Sequence, residues 1–263
     1  MSTRKSIVLP AAFFLCFTGY VAGQTKPRVV HVFVALADNE HQGIVSVPAV
    51  LGNGDDPARN LYWGAAFGLR TFFKRSPEWT ERLDSRGPND YVLERVVFEN
   101  RTNRLVLVAD AYRGSEIKQA LVDFFQAAAG VPKKEKPYPM IIGGGVFGVP
   151  DDPDLVVYIG HDGLMDFPLT VDFAGHNGAS RPAIILACAS KSFFHELLQK
   201  SGATPLLWTT GLMAPEAYTL KAALDGWMQQ ESKEAIRKRA AAAYSRYQKC
   251  SETAAMRLFS SDW

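Results

Sequence analysis

An α/β domain built on a mostly parallel sheet is the fold class this sequence predicts, and three observations predict it. Short apolar runs rich in β-branched residues recur along the chain, the composition of strands buried on both faces. Stretches with apolar side chains at helical spacing are interleaved with them. The polar, chemistry-bearing residues fall where the apolar runs stop. Alternating strands and helices form a parallel sheet with helices on both faces, and ligands bind such sheets at the carboxyl ends of the strands.

The elements follow in order. Arg4 and Lys5 precede an apolar run over residues 7–20, which is too short for a comfortable membrane span, and Val21-Ala22-Gly23 offers small side chains for cleavage. Residues 1–23 therefore read as an export signal, and residues 24–263 as one domain. The expected location is secreted or periplasmic, with no stable membrane insertion once the signal is removed. About 240 residues remain, with 47% hydrophobic and 11% aromatic residues in the whole chain, enough for a single large core.

Residues 29–37 (VVHVFVALA) form the first apolar run and end in Asp38-Asn39-Glu40-His41-Gln42. After a loop rich in Gly and Pro, Leu61, Ala65, Leu69, Phe72 and Phe73 predict one face of a helix. The aromatic cluster there, with Tyr62, Trp63 and Phe67, reads as core and pocket lining. Residues 91–98 and 105–109 predict two strands joined by a polar turn at 100–103, and Ile117, Leu121, Phe124, Phe125 and Ala128 predict a helix. A charged loop is expected over 133–139 and a turn at Gly143-Gly144-Gly145, which lacks the residues of a phosphate-binding loop. Strands are expected at 155–159, 183–187 and 206–208, with helical patterns after the last two. Residues 233–258, rich in Ala, Arg and Lys, predict one long amphipathic helix.

Charge and cysteine content narrow the function. A net charge of +2 with Lys and Arg scattered along the chain gives no basic footprint for nucleic acid. Asn53-Gly54-Asp55-Asp56 lacks the ligand pattern of a calcium loop. His41 with Asp38 and Glu40 matches no zinc spacing, so neither a metal nor a cofactor is expected. Signal removal leaves Cys188 and Cys250, which in an oxidising compartment could form one disulfide. The competing reading is chemical: His161 and Cys188 each follow directly on an apolar strand. A thiol beside an imidazole is a nucleophile with its own base, suited to acyl transfer. Gly163 and the Cys188 N–H are the candidate oxyanion donors.

Several patches resemble the caspase and legumain peptidases. Residues 156–168 (VVYIGHDGLMDFP) resemble the strand that ends in the catalytic His-Gly, and residues 184–190 (IILACAS) resemble the next strand, ending in Cys-x-Ser. Asn39-Glu40-His41-Gln42 and Thr209-Thr210 with Glu216-Ala217-Tyr218 agree in order. The resemblance spans residues 29 to about 220. It implies a caspase-like three-layer sandwich, His161 and Cys188 as the catalytic pair, and Glu40, His41, Asp166 and Thr210 around the substrate, a peptide or protein. The sequence departs from the pattern at Asp162, inserted between the histidine and its glycine, and at Leu186, Lys191 and Glu40. A basic substrate side chain facing Glu40 is one expectation. A non-catalytic relative that binds a peptide or protein partner in the same cleft is the alternative function. A metal-assisted hydrolase using His161, Asp162 and His176 is a third.

Overall fold

The computed structural model describes residues 26–132, 139–142, 145–148, 152–176 and 178–263. The expected export signal, most of the loop at 133–139, and Gly143 and Gly144 lie outside the described residues.

Strand β1 (Arg28–Ala35) is the first apolar run, and Val30, Val32, Phe33 and Val34 have no exposed surface. The helix expected from Leu61 onward begins later, as α1 (Leu69–Arg75). Asn60 accounts for the difference. Its carbonyl accepts the N–H groups of Trp63, Gly64 and Ala65, while its side-chain amide donates to the Ala37 and Asn53 carbonyls. A side chain that hydrogen-bonds locally holds the backbone in turns at the cost of helix. The buried Trp63 and Phe73 still reach the core.

Strand β2 (Thr80–Arg86) has no counterpart in the sequence reading, because TERLDSR is polar on both faces, as an edge strand can be. Strands β3 (Val92–Asn100) and β4 (Leu105–Tyr112) flank the expected turn, where the Asn100 side chain accepts the Asn103 N–H at 3.1 Å. Helix α2 (Ile117–Ala129) follows with its predicted face buried. A hairpin of β5 (Pro139–Ile142) and β6 (Gly145–Gly148) stands apart from the main sheet.

Strands β7 (Leu155–Ile159) and β8 (Pro182–Leu186), helix α3 (Ser190–Ser201), strand β9 (Thr204–Thr209) and helix α4 (Ala217–Met228) complete the alternation. The long terminal helix is two: α5 (Lys233–Gln248) and α6 (Glu252–Leu258), followed by a short β10 (Phe259–Ser260). Lys249 takes a left-handed conformation with φ 54°, and Ser251 then caps α6 by accepting the Ala254 N–H at 3.1 Å. Composition alone favoured helix throughout. The cap and the turn broke it.

The eight strands of the main sheet lie in the order β10-β9-β8-β7-β1-β4-β3-β2. The pairings β9–β8, β8–β7, β7–β1 and β1–β4 are parallel, and the two edges are antiparallel. One sheet face, carrying Val30, Val32, Val34, Val157 and Leu186, packs against α1, α4 and α5. The other, carrying Phe33, Ala35, Tyr158 and Ile185, packs against α2 and α3. The protein is thus α/β with a mixed, mostly parallel sheet between helices, and no helix among the described residues is long and apolar enough to cross a membrane.

Candidate active site

Strands β7 and β8 are neighbours, paired in the register Ile159 opposite Leu186. His161 and Cys188 each come two residues after that pair. Both line one cavity of about 440 Å³ at the carboxyl end of the sheet.

The chain after β7 turns at Gly160, whose φ of 153° and tight seat demand glycine: a Cβ there would stand 2.9 Å from the Ala35 carbonyl oxygen. Its N–H donates to the Leu186 carbonyl at 3.3 Å, which extends the pairing beyond the strands. Next, the buried His161 has its carbonyl held by the Tyr158 hydroxyl at 2.8 Å and its Nε2 2.7 Å from Asp166 Oδ2. With Nε2–H donating to Asp166, the Nδ1 atom carries the lone pair of the neutral ring. The same Asp166 oxygen accepts the Gly43 N–H at 3.0 Å. One carboxylate therefore orients the imidazole and ties down the loop after β1, whose Ile44, Val45 and Val47 form one wall of the cavity.

The chain after β8 turns more sharply. Ala189, the residue after the cysteine, sits at φ 46° and ψ 29°, a conformation that costs a residue with a Cβ roughly 1–2 kcal/mol. Buried hydrogen bonds hold it there. The Ala189 N–H donates to the Gly211 carbonyl at 2.8 Å, the Ser190 hydroxyl donates to the Ile185 carbonyl at 3.1 Å, and Thr209 Oγ1 donates to the Ala187 carbonyl. A strained turn fixed by its surroundings is common where a side chain must be presented to a ligand. Here it presents the half-buried Cys188 just ahead of α3, whose N-terminal dipole favours negative charge nearby.

The Cys188 sulfur is a free thiol, as is Cys250, so the disulfide reading does not hold. Cys250 packs at the edge of the core beside α5. The Met213 N–H donates to the Cys188 Sγ at 3.4 Å, and the thiol in turn lies 3.6 Å from the Met213 carbonyl oxygen. Residues 212–216 form the opposite wall of the cavity. Glu216 lines it too, its carboxylate accepting from the Tyr218 hydroxyl at 2.9 Å and from Gln248 Nε2 at 3.1 Å. Burial raises the pKa of Glu216 against the opposing pull of those two donors.

Of the residues expected around the substrate, Asp166 lies beside His161, whereas Glu40, His41 and Thr210 are exposed and line no part of the cavity. His41 bonds Asp38 at 2.9 Å, an interaction that raises its pKa, and the Thr210 hydroxyl donates to the Arg257 carbonyl at 2.8 Å. Gly163 uses its N–H on the His161 carbonyl at 3.1 Å and is buried beside Ile117, Leu121 and Phe167, so in this conformation that donor is already engaged. His176 accepts the Gly178 N–H and lies against Gly202 rather than joining His161. Among the described residues, no three His, Cys, Asp or Glu side chains gather as a metal site.

Asp162 is fully buried. Its Oδ1 caps the following turn by accepting the Leu164 N–H at 3.0 Å, but its Oδ2 has no hydrogen-bond partner among the described residues. Burial, with a contribution from the Asp166 charge, pushes its pKa up to about 7. Tyr62 lines the cavity, as the reading of its aromatic cluster expects, whereas the walls supplied by Leu61 and residues 212–215 carried no pocket signal of their own in the sequence, since apolar side chains in loops look like any other partly buried residues.

No family profile, no curated protein and no solved structure matches this chain.

Proposed function

We propose that this protein is an exported cysteine hydrolase, a divergent relative of the caspase and legumain peptidases that acts on peptides or proteins. The observation that carries the reading is that Cys188 and His161, from the ends of adjacent parallel strands, line one cavity. The orienting carboxylate behind the histidine supports it, because a base held by a third group is the arrangement that nucleophilic catalysis uses.

In the proposed reaction His161 takes the thiol proton and Cys188 Sγ attacks the scissile carbonyl carbon. The tetrahedral intermediate collapses as the C–N bond breaks, and the imidazolium returns the proton to the leaving amine. A water deprotonated by His161 then attacks the thioester, releasing the carboxylic acid product and regenerating the thiol. Asp166 is the positioning residue, since it touches the base and not the reacting atoms. The dipole at the α3 N-terminus favours the oxyanion.

A non-catalytic peptide binder using the same cleft is the second reading, and the engaged Gly163 N–H is the observation that favours it. Turnover of a peptide-amide library by the wild type, Cys188→Ala and Asp166→Ala separates the two. The hydrolase reading expects Cys188→Ala to abolish turnover while circular dichroism and melting stay unchanged. Asp166→Ala should lower kcat by about 10²-fold and raise KM by a smaller factor, since it also releases the Gly43 loop that walls the cavity, and Asp166→Asn should recover part of the loss. Turnover unaffected by Cys188→Ala would refute the thiol mechanism.

A further inference from the structure

We infer that the cavity beside Cys188 is a pocket for an uncharged apolar side chain, so that the residue donating the scissile carbonyl is aliphatic or aromatic. The inference rests on the hydrolase reading for the word scissile, but the choice of occupant follows from the walls. Ile44 and Val47 come from the loop after β1, Leu61 from the turns before α1, and Leu212 and Met213 from the loop after β9. Together they line with hydrocarbon the cavity into which Cys188 opens. A volume of about 440 Å³ falls within the roughly 300–1,000 Å³ of small-molecule pockets, room for one large side chain and its flanking backbone.

The mouth points the same way. Val45 is 85% exposed and Leu212 72% exposed, and both line the cavity. Met165, next to Asp166 on the His161 turn, is a third exposed apolar side chain at this site. Isolated apolar residues on a surface are ordinary, but three converging on a cavity that holds a nucleophile form a patch that a ligand would cover.

Charge complementarity closes the argument. No Lys or Arg lines the cavity among the described residues, so an acidic side chain has no partner there. Among the described residues the one lining carboxylate is Glu216, and it already accepts hydrogen bonds from Tyr218 and Gln248. A lysine or arginine side chain would enter a largely hydrocarbon space and meet an acid whose hydrogen bonds are already made. Glu40, the acidic residue expected to receive a basic side chain, lies outside the lining. Burying an incompletely paired charge is disfavoured, while burying hydrocarbon is favourable.

The test uses peptide amides of one scaffold with Leu, Phe, Lys or Glu at the carbonyl-donating position and a coumarin leaving group. Turnover is measured with the wild type, and binding of the same peptides with Cys188→Ala by calorimetry. The expected result is a kcat/KM for Leu or Phe at least about 10-fold above that for Lys and Glu, with the same order in binding. Leu212→Lys, at an exposed position, should erode the preference for Leu and raise binding of the Glu peptide. Turnover that favours Lys or Glu overturns the inference and leaves the hydrolase standing. Absence of turnover, with tight binding of the Leu and Phe peptides to Cys188→Ala, supports the pocket and removes the hydrolase. Equal binding of all four peptides overturns the inference whatever the turnover.

Discussion

Asp162 shows what a residue's surroundings in space add to its neighbours in the chain. In the sequence it is an inserted acid that interrupts a His-Gly pair. In the fold it is a buried carboxyl with one oxygen capping a turn and the other without a partner. Its pKa is raised to about 7 in the folded protein against 3.8 unperturbed, so the folded state holds a proton that the unfolded state releases. The stabilisation linked to that proton is complete below about pH 4 and is lost as pH rises through 7. Between pH 4 and pH 8 this one group should lower stability by on the order of 3 kcal/mol. Urea melts across that range will check it. Asp162→Asn keeps a cap acceptor, does not ionise, and should flatten the slope; equal slopes in the two proteins would discard the assignment.

At the scale of elements, the connection from β8 to α3 decides where the sulfur goes. The left-handed Ala189 directly follows Cys188 and leads into α3 at Ser190. Ser190 and Thr209 hold the turn from inside, with no exposed surface on either. Ala189→Gly should stabilise the protein by about 1 kcal/mol through relief of the positive φ, offset partly by added freedom in the unfolded chain. Ala189→Val should destabilise it by more, because a β-branched side chain fits that conformation worst. Chemical denaturation of the three proteins at one pH is the measurement. A more stable valine variant would show that the turn is not held as described.

The whole molecule joins a sheet with two antiparallel edges to a parallel centre, and the site belongs to the centre. A buried ion pair between β3 and β4, joined by His31 of β1, shows how polar groups are accommodated within the sheet. Asp110 receives Arg95 through both oxygens and lies 2.9 Å from His31 Nε2. Burial alone would raise its pKa, but Arg95 and His31 outweigh it and hold the carboxyl well below the usual range. Thiol chemistry tests the molecule as a whole. A chain cleaved after residue 23 keeps two cysteines, and both are free in the fold. Intact mass after unfolding in iodoacetamide without reductant should show two adducts, and the native protein should be modified first at Cys188, which lines an open cavity. No adducts would mean that the two sulfurs are bonded. A third adduct would mean that Cys16 is retained and the export signal is not removed.

By itself the sequence determined the class of the fold and the strand ends that matter. The runs at 155–159 and 183–187 appear as β7 and β8 to within a residue, because a strand buried on both faces has to be continuously apolar. His161 and Cys188 stood out for the same reason, as the first polar or reactive residues after those runs. Only the tertiary structure decided which residues surround them. Asp166 acts on the ring of His161 and not at a distance, Glu40 and Thr210 fall outside the cavity, and apolar side chains from three separate loops make its walls. Register and periodicity are local properties that a run of side chains encodes directly. A cavity is made by segments far apart in the chain, and its shape exists only once the strands have set the distances between their loops.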